Sequence, residues 1–146
     1  EKYKNGNLIF FESNTLQNDK KKFVNLFLKN KTNKFQIKGS SYSGEADIDC
    51  IIGNWWNSKI LESDKQISPL SGSIKEQVVT FLGTENLIIN NITYTTEHFT
   101  LMSKNNNMPE DKKLNFEIWY NKKNNLIMKV SYSRMGEWEY VLKKFE

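Results

Sequence analysis

The chain has 146 residues, 38% of them hydrophobic, 26% charged and 13% aromatic; that balance excludes a disordered polymer and fits one globular domain over residues 1–146. No window approaches the roughly 20 consecutive apolar residues that a membrane-spanning helix needs, so no transmembrane segment is expected. The formal charge of +4 rests almost wholly on lysine, with Arg134 the single arginine; lacking arginine's bidentate fork, the basic balance reads as solvated lysine clusters, and no nucleic-acid partner is expected.

At the start of the chain, Asn5-Gly6 is the strongest short hairpin signal, because both positions tolerate positive φ, and it pairs residues 1–4 with 7–16. A strand at the first residue gives the expectation that N-terminal strands preceding Glu1 are missing, leaving an unpaired sheet edge near residues 1–16. Residues 23–28 and 35–38 predict the next strands, around the polar turn 29–34. The small, polar stretch 39–49 reads as a loop. In 51–64, IIGNWWNSKILESD, Gly53-Asn54 serves as an N-cap and Trp55, Trp56, Ile60 and Leu61 fall near helical spacing. They predict a two-turn helix over 53–62, too short to stand alone and held by burial against a sheet, with Trp55 and Trp56 pointing in different directions.

Residues 73–82 and 92–102 are strand-like, and 103–113 form a long exposed loop. The clearest period comes last. Leu114, Phe116, Ile118 and Tyr120 alternate with polar neighbours and Trp119; Leu126, Met128, Val130 and Tyr132 alternate with Ile127, Lys129 and Ser131. After a turn at Met135-Gly136-Glu137 come Trp138, Tyr140 and Leu142. This is a three-stranded antiparallel meander with one apolar face, which the 53–62 helix is expected to cover. The fold class that follows is mainly β: an antiparallel meander sheet curled into an open or partial barrel around one short helix.

The order of these motifs resembles a known family. A Trp-Trp element, Ser71-Gly72, Leu82-Gly83-Thr84-Glu85, a strand rich in threonine and tyrosine, Ile118-Trp119-Tyr120-Asn121 and a closing aromatic strand are similar to those of exported bacterial proteins grouped as a domain of unknown function, number six-one-three-four. Glu1-Lys2-Tyr3-Lys4-Asn5-Gly6-Asn7-Leu8 matches that family's opening motif with tyrosine in place of tryptophan. The resemblance implies a periplasmic or secreted protein and brings no catalytic residues with it. At fold level the outline is similar to periplasmic lipoprotein carriers, an analogy only.

The residues that carry chemistry are sparse. Cys50 is alone, so no disulfide framework forms, and it reads as a small buried residue. His98 is the only histidine, and no nucleophile motif surrounds Cys50 to pair with it. Glu45-Ala46-Asp47-Ile48-Asp49 lacks the third acidic position and the glycine of a calcium loop, and zinc lacks its ligands. Glu110-Asp111 is a surface charge cluster; the sequons Asn30-Lys31-Thr32 and Asn91-Ile92-Thr93 are chance matches. Hence no enzyme activity, catalytic residue, metal or cofactor is expected. Two readings remain. In the first, a non-catalytic envelope or structural domain, the aromatic residues are core. In the second, Trp55, Trp56, Phe116, Ile118, Met128, Tyr132, Trp138 and Tyr140 hold an apolar or amphiphilic, lipid-like ligand on a concave face. Aromatic residues at strand period are core far more often than pocket, which favours the first.

Overall fold

A computed structural model describes residues 1–29, 31–133 and 136–144. Asn30 of the 29–34 turn and of the first sequon, and Met135 of the last turn, lie outside the described residues. The fold is mainly β, with an antiparallel sheet and a strongly curled sheet that forms an open half-barrel. The chain packs as two compact units, Glu1–Gly53 with Lys65–Lys75, and Asn54–Asp64 with Glu76–Glu146.

The first unit is a meander of β1 (Lys2–Lys4), β2 (Asn7–Gln17), β3 (Lys20–Lys29), β4 (Lys34–Gly39) and β5 (Ser43–Asp47), each strand pairing with the next. A short parallel pair follows, β6 (Ile51–Ile52) with β7 (Lys65–Ile67). Asparagine makes the tight turns: Asn5, Asn18, Asn33, Asn90, Asn91 and Asn125 all have positive φ, a conformation that asparagine tolerates better than most residues. The three-residue β1, with Lys2 and Lys4, stands at the sheet edge. In an antiparallel ladder directly opposed residues share a face, so Phe11, Leu26 and Ile37 line up in one row. With Val24, Phe35, Ala46, Cys50, Ile52 and Ile67 they form the core of this unit.

The stretch 39–49 is not a loop, as its composition suggests, but contains the whole of β5. Small residues are what this stretch requires: a side chain on Gly44 of β5 would collide with the Tyr42 ring, and one on Gly39, which ends β4, would run into the Ser71 carbonyl oxygen. The acidic run serves cross-strand ion pairs, Glu45 with Lys29 at 2.8 Å and Asp47 with Lys34 at 3.7 Å.

In the second unit β8 (Ile74–Ile89), which begins in the first, is followed by β9 (Ile92–Ser103), β10 (Asn115–Asn121), β11 (Leu126–Ser133) and β12 (Glu137–Val141), all antiparallel. The register sorts the side chains into rows. Val79, Leu101, Phe116, Tyr132 and Trp138 form one row across five strands, and Phe81, Phe99, Ile118, Val130 and Tyr140 form the next on the same face. Between them, on the opposite face, Thr80, Thr100, Glu117, Ser131 and Glu139 are all polar. β8 runs past Leu82, where the sequence pattern ends it, because a bulge makes Leu82 the extra residue and sets Gly83 back in register opposite His98. A second bulge makes Trp119 oppose Lys129 but Tyr120 oppose Ile127, which leaves Met128 as the extra residue. Ile127 and Met128 are consequently both buried, where simple alternation would expose one.

The two-turn helix expected over 53–62 is instead a single 3-10 turn, Ser58–Leu61. Two asparagines explain this. Asn54 Oδ1 accepts from the Asn57 N–H and Asn57 Oδ1 accepts from the Lys59 N–H, each at 3.2 Å; Asn57 is thereby the N-cap, and the helical turn opens at Ser58 rather than at 53–54. Ile60 is nevertheless fully buried. Gln77 of β8 holds the segment, its Nε2 donating to the carbonyls of Ile60 at 2.9 Å and Ser63 at 2.8 Å.

Candidate functional site

The apolar rows of the second unit carry a continuous run of aromatic contacts. Trp55 packs edge-on against Phe116 with ring centroids 4.7 Å apart, Phe116 meets Tyr132 at 4.9 Å, Tyr132 meets Trp138 at 4.8 Å, and Trp138 meets Tyr140 at 4.9 Å. The strands impose this order, because Phe116, Tyr132 and Trp138 are cross-strand neighbours in one row. Such edge-to-face and tilted pairs contribute about 0.5–1.5 kcal/mol each beyond their burial.

Five of the eight residues singled out in the sequence therefore meet in one ladder: Trp55, Phe116, Tyr132, Trp138 and Tyr140. Ile118 lies on the same face, fully buried in the adjacent row. Met128 is buried at the bulge. Trp56 stands 71% exposed while its neighbour Trp55 is half-buried, as a short segment with one buried side requires. The sequence pattern missed Val79, Phe81, Phe99 and Leu101, which complete the two rows. Their strands carry adjacent apolar pairs, Val78-Val79 and Phe81-Leu82, so alternation alone does not say which member faces inward.

Exposure changes systematically along the face. Leu101 and Ile118 are 0% exposed and Val130 1%, whereas Trp138 is 39% and Tyr140 61%. The centre is solidly packed; the row opens at both ends, at Phe81 on β8, 54% exposed, and at the aromatic rim of β12. A groove of about 510 Å3 lined by Thr93, Tyr94, Thr95, Asn121, Lys122 and Lys123, among others, lies elsewhere in this unit. A smaller one, of about 200 Å3, is lined by Ile89, Tyr94, Met128 and Leu142 with their neighbours. Of the eight residues only Met128 lines either groove.

The opposite face gathers charge around the lone histidine. His98 Nδ1 lies 3.3 Å from Glu85 Oε1 and its Nε2 lies 3.0 Å from Glu117 Oε2. Its ring stacks on Trp119 at 4.3 Å, and Trp119 Nε1 donates to Glu85. Lys129 lies over the Trp119 ring at 4.7 Å and pairs with Glu139 at 2.8 Å. A carboxylate thus lies beside each imidazole nitrogen. Cys50 belongs to the core of the first unit, where burial first and the Asp49 charge second push its thiol up, against the thiolate that nucleophilic chemistry needs. The cross-strand register assembles the cluster from residues 13 to 41 positions from His98, and nothing in the linear pattern announces it.

No helix of the described residues is long and apolar enough to cross a membrane. No curated protein and no solved structure matches the chain. Residues 1–143, however, match the family described as Domain of unknown function (DUF6134), and the chain belongs to that family.

Proposed function

We propose that this chain is an exported, periplasmic β-sheet protein that acts as a non-catalytic interaction domain of the cell envelope. The observation that supports it is the exposure gradient of the aromatic face, from fully buried Ile118 to Tyr140 at 61%. A face solid at its centre cannot admit a ligand without repacking, while tyrosine and tryptophan at an open rim have the apolar body and polar tip enriched at protein interfaces. The raised thiol of buried Cys50 argues against its use as a nucleophile. Export rests on the resemblance of the Trp-Trp and Ile118-Trp119-Tyr120-Asn121 motifs.

A photocrosslinking amino acid in place of Tyr140, in the full-length protein in its own cells, tests this reading. Adducts with envelope proteins, recovered from the periplasmic fraction, are expected. A protein confined to the cytoplasm, or one without adducts, refutes it. The same rim also supports a second reading, a carrier of an apolar or amphiphilic ligand. Native mass spectrometry before and after mild delipidation, followed by tryptophan fluorescence under fatty-acid or phospholipid titration, separates the two. The interaction domain is empty and spectroscopically unresponsive; a bound lipid with a fluorescence shift replaces that reading with the carrier.

A further inference from the structure

β12 offers a feature that the aromatic face does not use, its outer backbone edge. The strand ends its sheet, and all five of its residues are exposed. Its phase is fixed by the Leu142 N–H, which donates to the Met128 carbonyl at 2.7 Å. Bonded and non-bonded pairs alternate along an antiparallel ladder. Trp138 and Tyr140 therefore exchange bonds with β11, and the N–H and C=O groups of Glu137, Glu139 and Val141 point outward. The strand contains no proline, and its ladder with β11 has no bulge, so two of the usual protections of an edge are missing and the charges of Glu137 and Glu139 remain.

We propose that this edge pairs with β12 of a second copy of the chain, antiparallel about a two-fold axis at Tyr140. Keeping apolar face against apolar face requires the axis to pass through a residue rather than between two, since a one-residue slip inverts the faces. In the Tyr140-centred register Glu139 of each copy exchanges backbone bonds with Val141 of the other, Trp138 lies opposite Leu142, and Glu137 lies opposite Lys143. Among the described residues neither the Glu137 nor the Lys143 side chain has an ion-pair partner, whereas Glu139 is already paired with Lys129. The symmetry thus supplies each unpaired charge with its opposite, twice. Neighbouring registers are worse. Centring on Glu139 sets two carboxylates face to face, and centring on Trp138 opposes Glu137 to Glu139. Centring on Val141 turns Lys143 from Glu137 to Glu139, which Lys129 already holds. The two-fold contact is isologous and closes on itself, and it makes the two aromatic faces continuous.

Sedimentation equilibrium over about 1–500 µM measures the association, which mass action governs. A monomer–dimer equilibrium is expected. Val141→Pro deletes an outward N–H and none of the bonds to β11, so it gives a monomer with unchanged circular dichroism. Glu137→Lys and Lys143→Glu each weaken the dimer about tenfold, and together they restore it. Should Val141→Pro unfold, Tyr140→Cys replaces it. Two such thiols meet across the two-fold in a close non-bonded pair and oxidise to a covalent dimer, while Cys50 is buried. A chain monomeric throughout that range overturns the proposal, as does a dimer indifferent to Val141→Pro or a double charge reversal no tighter than the single ones. A monomer that still crosslinks envelope proteins from Tyr140 refutes the pairing alone and leaves the interaction reading standing.

Discussion

Replacing Gln77 tests whether one buried amide holds the Trp55–Ser63 segment on the second unit. Gln77 is 2% exposed, and its Nε2 donates to the Ile60 and Ser63 carbonyls. Gln77→Leu keeps most of the volume but leaves both carbonyls without that donor. A buried acceptor left unsatisfied costs about 1–3 kcal/mol, and one that water reaches costs less, so the loss is about 2–4 kcal/mol. With a urea m-value of roughly 2 kcal/mol per M, the midpoint falls by about 1–2 M. All four tryptophans, Trp55, Trp56, Trp119 and Trp138, lie in the second unit, so their fluorescence follows its unfolding specifically. Gln77→Glu adds a pH test. An ionised carboxylate presents only acceptors to two carbonyls, which raises its pKa in the folded state above the unfolded value of about 4.3. The neutral form still donates one bond. Stability is therefore retained below the unfolded pKa and lost as pH rises through the folded one, so the glutamate variant falls further behind between about pH 4 and pH 7. A leucine variant within about 0.5 kcal/mol of the wild type, with unchanged tryptophan emission, would show that the segment is held by Ile60 and Trp55 packing alone.

In the first unit, Gly39→Ala drives a Cβ to within 2.4 Å of the Ser71 carbonyl oxygen, which also accepts from the Ser41 N–H at 3.1 Å; the expected loss is about 1–3 kcal/mol, with faster amide exchange at Ser41. Trp55→Ala removes the ring on Phe116 and costs about 2–3 kcal/mol, while Trp56→Ala, at an exposed position, costs below about 0.5 kcal/mol, both read from urea midpoints. Because burial raises the Cys50 thiol, its contribution to stability is present below the unfolded thiol pKa and lost as pH rises through the folded one. Native protein therefore reacts with a thiol reagent only through local opening, more slowly than urea-unfolded protein at every pH; equal rates would contradict the burial.

What was legible in the sequence divides along the chain for physical reasons. Residues 114–142 state their faces because each strand has one apolar and one mostly polar side, and the register sets Phe116 opposite Tyr132 and Tyr132 opposite Trp138, as their shared face requires. Residues 74–103 conceal theirs. Doubled apolar pairs and the bulge at Gly83 break the parity, and threonine fits either face of a strand. The stretch 39–49 was misread because its small residues answer to a close approach by Tyr42 and Ser71, which no local pattern records. The helix over 53–62 shrank to Ser58–Leu61 because Asn57, and not Asn54, is its N-cap, and composition suits either asparagine to that role. The aromatic site shows the deepest limit. Alternation places Trp138 and Tyr140 on the face of Phe116 and Ile118, and composition treats all four alike. Only the order of strands decides that Ile118 sits mid-sheet, 0% exposed, while Tyr140 stands on the last strand at 61%. Whether an aromatic residue here is core or contact surface is thus set by its place along the row, exposed at both ends, Phe81 at 54% and Tyr140 at 61%, a quantity that belongs to topology and not to residue type.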